Sequence, residues 1–216
     1  MNVIENRPWL IAELGKPLRV VSWALNRPGF RNADKIVWRE VRNADLPEDF
    51  DVAGWFKAEL AANGHDGSIG FLTSRDVTRF FQTAATVEDV TATVVATTGL
   101  SNAERVGLRG KPLRFGTINI AVALSEPMAD AALLEALSIA VEARTLAVMD
   151  HGPDLSQGRA TGTGTDCIAV AAPAGETIHA GKHTAIGHAV GAAVLNAVTK
   201  GVKDWMSEQT RGAGDA

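Results

Sequence analysis

The clearest alternation in the chain lies between Gly116 and Leu124, where Ile118, Ile120, Val122 and Leu124 fall on one side and Thr117, Asn119, Ala121 and Ala123 on the other. A period of two predicts a strand with one strongly apolar face. Further strands are predicted at Leu18–Leu25, stopped by the turn signal Asn26-Arg27-Pro28-Gly29, at Lys35–Val41, at Ser68–Thr73, at the Thr- and Val-rich run Val90–Thr98, and at Cys167–Ala172. Helical spacing takes over in four places. Asp45-Leu46-Pro47 opens a helix in which Val52, Trp55, Phe56 and Leu60 recur, closed by Asn63-Gly64, and Ser74 is the expected N-cap of a short helix over Arg75–Gln82. Ser125-Glu126-Pro127 is the expected start of a long helix carrying Leu133, Leu137, Val141 and Val148. From Thr184 another long helix uses Ile186, Val190, Val194, Val198, Val202 and Trp205, to about Met206, with Gly187 and Gly191 allowing close backbone approach.

Strands and helices in this order predict a mixed α/β fold of α+β character, a layered sheet of mostly sequential strands covered by helices. The 216 residues show no fixed-period repeat and no linker, so one domain is expected, with its core over about residues 15–206 and a flexible tail from 207. Composition narrows the picture. At 46% hydrophobic and 21% charged the chain is of the folded class, and 21 basic against 25 acidic residues, with no run of Lys or Arg, disfavour nucleic acid as a partner. A single cysteine, Cys167, excludes an internal disulfide. The start Met1–Trp9 lacks the basic-then-apolar order of a signal peptide, and the apolar stretches near 129–148 and 185–202 are interrupted by Glu135, Glu142 and Arg144 and by His188, Asn196 and Lys200. No membrane association is expected, and the location expected is the cytoplasm.

Three polar segments fall beside predicted strands or helices: Ser101-Asn102, Thr163-Gly164-Thr165-Asp166 and Gly181-Lys182-His183-Thr184. Any one is ordinary turn chemistry, but three together point to a ligand site. Phosphate-loop readings fail, because Glu176 and His183 stand where a Walker loop needs glycine and Ser or Thr, and Cys167 stands where a dinucleotide fingerprint needs its third glycine. His179 and His183 have i, i+4 spacing, but Gly181 between them argues against a helical metal site. Cys167 opens an apolar run, which reads as a buried and inert thiol rather than a nucleophile. Glu142 reads either as a buried acid or as a solvated position on its helix. A threonine nucleophile exposed by self-cleavage, at Thr117, Thr163 or Thr165, is not supported by an unbroken chain.

Five ordered motifs, Thr98–Ala103, Gly116–Ile120, Glu142-Ala143-Arg144-Thr145, Ala160–Asp166 and Ala180–Gly187, resemble those of the adenosylcobinamide amidohydrolase family of corrinoid-salvage enzymes. The resemblance covers about residues 15–203. It implies hydrolysis of the amide linking the aminopropanol arm to the corrin ring, giving adenosylcobyric acid for cobalamin salvage, with complete cobamides such as pseudocobalamin as further substrates. Set against what amide hydrolysis demands, Asp166 is the candidate base, His183 the acid or second base, Asn102 and Thr165 donors, with Glu142 a further catalytic candidate. Substrate contacts are expected from Ser101, Asn119, Thr163, Gly164, Lys182, Thr184 and Asn26, and a large flat substrate calls for apolar walls, with Trp23, Trp38, Trp55, Phe30 and Phe71 as candidates. Neither a metal nor a cofactor is expected, the corrinoid being substrate. A homodimer through the long glycine-containing helix is a further expectation. The chain departs from the family pattern at Asn26-Arg27-Pro28-Gly29, at Arg144, where Lys is usual, and at Cys167, where a small apolar residue is usual. The Arg27-Pro28 and Arg144 departures support an alternative, a catalytically silent corrinoid-binding protein. An unrelated amidohydrolase or peptidase on the same scaffold is the third reading.

Overall fold

The computed structural model describes residues 1–42, 50–108 and 116–214, with side chains as far as Arg211. Twelve strands and three helices are present among them: β1 (Asn2–Asn6), β2 (Trp9–Ser22), β3 (Gly29–Glu40), α1 (Val52–Ala62), β4 (Ile69–Thr73), β5 (Phe80–Val87), β6 (Val90–Thr98), β7 (Ala103–Glu104), β8 (Ile118–Leu124), α2 (Asp130–His151), β9 (Asp154–Leu155), β10 (Gly158–Arg159), β11 (Gly162–Thr163), β12 (Cys167–Ala172) and α3 (Ala185–Gly214). Eight strands form one sheet in the order β4-β3-β2-β12-β8-β6-β5, with β1 on β2. Sequence neighbours pair on both flanks, and β12 inserts between them, parallel to β8 and antiparallel to β2. The mixed α/β fold read from the sequence is the one found.

The sheet does not stay flat. A register shift between Glu13 and Leu18 in β2, at Gly15 with φ +79°, bends the ribbon. The first half of β2 with β3 and β4 then folds over the face of β6, β8 and β12, so that Leu10, Ile36, Trp38, Ile69 and Phe71 share one core with Val95, Ala121, Ala169 and Ala171. On the outer side of this flap α1 buries Phe56 and Leu60 against Trp9 and Val37. Across the central sheet, α2 and α3 cover Ile118, Ile120, Val122, Ile168 and Val170. The alternation at Gly116–Leu124 thus has both faces buried, one against the helices and one against the flap.

Length and apolarity alone would let α3 cross a membrane. Its stripe Val190, Val194, Val198 and Val202 is fully buried against β5, β6 and α2, as in a core helix. The helix continues through Gly214. The opening at Asp45-Leu46-Pro47 lies outside the described residues, and Asp51 caps α1 by accepting from the Gly54 N–H at 2.9 Å.

Two expectations are corrected. Arg75–Gln82 is not a helix: the Asp76 carboxylate accepts from the Thr78 N–H and hydroxyl in a tight turn, after which Phe80 starts β5. The β5–β6 hairpin turns through Glu88-Asp89, with Glu88 at φ +52°, where a sequence signal would be Asn-Gly. Ser125-Glu126-Pro127 does not cap α2. The Met128 and Ala129 N–H groups donate to Pro173 and Thr177 carbonyls, Ser125 Oγ accepts from Thr91 N–H, and α2 begins only at Asp130. Long-range partners took the donors that a helix start would have left open.

Candidate active site

Where the flap meets the central sheet, at the amino-terminal ends of parallel β8 and β12, a cavity of about 480 Å³ opens. Trp23, Leu25 and Phe71 make its apolar walls, and Thr117, Asn119, Gly164, Thr165, Asp166 and Cys167 line the other side. Of the five rings proposed as walls, Trp23 and Phe71 serve; Trp38 is in the core, Trp55 stands on α1, and Phe30 packs with the helix-side core. Asn119 fastens the two halves, its Nδ2 donating to the Leu72 carbonyl at 2.8 Å while its Oδ1 accepts from Thr117 Oγ1 at 3.2 Å. Thr117 also donates to the Thr165 carbonyl, and Thr165 Oγ1 to the Gly116 carbonyl. These bonds knit Gly116–Asn119 to the turn that precedes β12.

That turn is built around Asp166. One carboxylate oxygen accepts from the Ile118 N–H at 3.0 Å and the Thr163 hydroxyl at 2.5 Å; the other accepts from the Thr163 N–H at 2.9 Å and from Arg144. The carboxylate is only 6% exposed. Burial pushes its pKa up, opposed by the Arg144 guanidinium and the Thr163 and Ile118 donors. A carboxylate so enclosed does not face open water, and Thr163 is the hydroxyl in contact with it. Gly162 has a steric reason: a Cβ there would collide with Arg144 Nη1 and lie 2.6 Å from Asp166 Oδ2. Gly116 has another, since a Cβ would come within 2.8 Å of the Ser101 and Asn102 nitrogens.

Asn102 connects the segments. Its carbonyl accepts from the Gly164 N–H, and its amide Nδ2 would sit 3.1 Å from a Cβ on Gly164. That amide has no hydrogen-bond partner among the described residues. Ser101 is exposed beside it. A second cleft, of about 590 Å³, lies on the other side of the Gly162–Gly164 stretch and is lined by Arg144, Thr145, Thr161, Thr163, Arg105 and Val106 among others. Gly164 is common to both.

The remaining sequence candidates lie elsewhere. Asn26 lines neither cleft; it pins β4 by donating to the Ser68 carbonyl and accepting from the Gly70 N–H. Lys182 pairs with Glu142 at 2.6 Å, both exposed. Thr184 caps α3, accepting from the Gly187 N–H at 3.0 Å. The exposed His183 lines neither cleft, and the structure does not bring it to Asp166. Cys167 lines the cavity, but burial above all pushes its thiol up to about 12, with Ser22 Oγ 3.8 Å away, so it is protonated and a poor nucleophile. Among the described residues, no group of three or more His, Cys, Asp or Glu side chains converges where a metal ion could sit.

Sequence reasoning gave no site role to Arg144, named in a motif and as a departure from it, or to Thr117, named in a motif and discarded as a nucleophile, and it read Leu72 and Thr73 only as strand. The signal for the last two was available: like Ser101-Asn102, they close a β-run just before a polar stretch.

The chain belongs to the adenosylcobinamide amidohydrolase family, whose model matches residues 1–210. Among solved structures it is similar to a β-aminopeptidase of Burkholderia sp., with TM-score 0.47 and 11% identity over 89% of this chain and 78% of that one. It is also similar to the PH0078 protein of Pyrococcus horikoshii OT3, with TM-score 0.43 and 10% identity over 89% and 76%. No curated protein matches it.

Proposed function

We propose that this protein hydrolyses the amide joining the aminopropanol arm to the corrin ring of adenosylcobinamide, releasing aminopropanol and adenosylcobyric acid, and that it also accepts complete cobamides such as pseudocobalamin. The observation that carries the reading is convergence. Segments of four of the five family-like motifs, around Thr98–Asn102, Gly116–Asn119, Arg144 and Gly162–Asp166, meet at one turn between two clefts, one of them walled by Trp23 and Phe71.

Amide hydrolysis needs a proton acceptor for water, donors for the oxyanion and a proton for the departing amine. Thr163 and Asp166 supply the first and last together. As water attacks the carbonyl carbon, its proton passes to Thr163 Oγ1 while the Thr163 hydroxyl proton passes to Asp166 Oδ1; when the C–N bond breaks, the same relay returns a proton to the amine. Burial raises the proton affinity of the carboxylate that takes up this proton. The Asn102 amide, against Gly164 and without a hydrogen-bond partner among the described residues, is the donor for the oxyanion. Arg144 holds Asp166 in place. On this reading His183 has no part in the proton transfers, no metal is needed, and the enzyme works in the cytoplasm on a small-molecule substrate, without nucleic acid or membrane.

A catalytically silent corrinoid binder is the second reading, favoured by the four donors that already occupy Asp166. Incubating chelator-treated protein with adenosylcobinamide and weighing the corrinoid by mass spectrometry separates the two. Loss of the aminopropanol arm is expected. Binding without loss would select the silent binder.

A further inference from the structure

Resting on the corrinoid reading, we infer that the second cleft, beyond the Gly162–Thr165 turn, is a binding site for the corrin macrocycle itself, so that the substrate lies across the turn with its rim in both clefts.

Size gives the first argument. A cavity of about 480 Å³ is in the range that encloses a drug-sized molecule, whereas a corrin with its amide arms and adenosyl ligand is considerably larger. The macrocycle must therefore rest partly outside it, and an adjoining cleft of about 590 Å³ shares Gly164 as a wall. Gly164 and Thr165 are exposed between the two, so among the described residues the turn sets no large side chain in the path of a molecule crossing it.

Surface chemistry gives the second. Large apolar side chains stand in water at both cleft mouths: Trp23 at 44% and Leu25 at 52% exposure on one side, Val106 at 81% and Leu108 at 49% on the other. A flat ring edged with methyl groups and amide arms matches such a surface, the apolar rims taking the methyls. Thr145 and Thr161 within the second cleft offer hydroxyls, and Arg105, whose guanidinium makes one hydrogen bond among the described residues, to the Arg159 carbonyl, offers further N–H donors to amide oxygens.

The test uses the full chain and adenosylcobinamide, with affinity read by equilibrium dialysis from the absorbance of the corrinoid, and turnover by mass spectrometry. Val106→Asp and Leu108→Asp alter only exposed rim positions; Leu134→Asp, 51% exposed on α2 and outside both clefts, is the control. The double rim variant should raise Kd and KM at least about tenfold, with kcat within about twofold of wild type, while the control changes neither. A truncated substrate, the aminopropanol amide of a short acid, should be hydrolysed equally by all. Unchanged Kd in the rim variant, with the wild type binding corrinoid, would overturn the second site and leave the proposed function standing. Failure of the wild type to bind any corrinoid would remove both.

Discussion

Thr163 touches the Asp166 carboxylate twice, through its hydroxyl at 2.5 Å and its N–H at 2.9 Å, so the two contributions can be separated by substitution. Thr163→Val keeps the backbone bond and the shape of the side chain but removes the hydroxyl. If the relay operates, kcat for adenosylcobinamide should fall by about 10²- to 10³-fold with KM little changed, the range general acid–base catalysis supplies, and Thr163→Ser should restore most of it. Turnover retained in Thr163→Val, with loss confined to Thr163→Ser, would mean that the methyl, and hence packing, is what matters. The thiol at 167 makes the opposite prediction. With its pKa pushed up to about 12, Cys167 is almost wholly protonated at about pH 8, so Cys167→Ala should retain turnover and the native protein should resist iodoacetamide. Rapid inactivation by the reagent with loss of activity would put the thiol back among the reacting groups.

At the scale of elements, the strap between β4 and β5 is tied to the end of α3. Arg75 reaches Asp204 at 2.8 Å and Glu208, while Arg79 reaches Asp204 and Glu208 at 2.5 Å each. Ser74, beside Arg75, lines the cavity, so this ionic tie fixes one of its walls. The bond from Arg79 above all holds the Asp204 carboxyl below its ordinary value. A depressed folded pKa contributes stability above the unfolded value, near about 3.9, and loses it as pH falls through the folded one. Asp204→Asn should thus cost roughly 1 kcal/mol at neutral pH, a figure already reduced for the 21% exposure of the carboxylate, and the deficit should shrink in acid, as pH falls through the lowered folded pKa. Urea melts at neutral and acid pH read it directly, and a deficit that persists undiminished in acid would show that the charge is not its origin. This strap is also where the sequence misled. Ser74 followed by Arg75–Gln82 reads as a capped helix because local signals carry no record of Asp204 and Glu208, some 125 to 133 positions away. By contrast β6, β8, β12, α2 and α3 were legible, their apolar period being the imprint of the surfaces they bury. Of the site, Asn119, Thr163, Gly164, Thr165 and Asp166 were legible as polar residues beside a strand. The fate of His183 was not, because a loop residue before a helix carries no pattern that says whether its side chain lines a cleft.

Across the whole molecule, the cavity exists because one sheet is bent onto itself, and its two halves are held at that point by few polar links. Asn119 is the central one, almost wholly buried on β8 with its amide on the Leu72 carbonyl of β4. Asn119→Ala deletes the donor, strands a carbonyl, and leaves space where the halves should touch, which should cost about 1–3 kcal/mol in urea unfolding. A ligand lying between the halves restores contacts across the same seam. Ligand bound only by the folded form stabilises it by about 2.7 kcal/mol at a hundredfold excess over Kd, so adenosylcobinamide should raise the melting temperature of the wild-type protein at that excess. In Asn119→Ala the same corrinoid concentration should give a smaller rise, since a loosened flap weakens binding and lowers the ratio of ligand to Kd. The comparison needs no turnover and therefore holds whether the protein cleaves the corrinoid or merely carries it. An equal rise in both proteins would mean that the seam is not part of the binding site and that the flap serves stability alone.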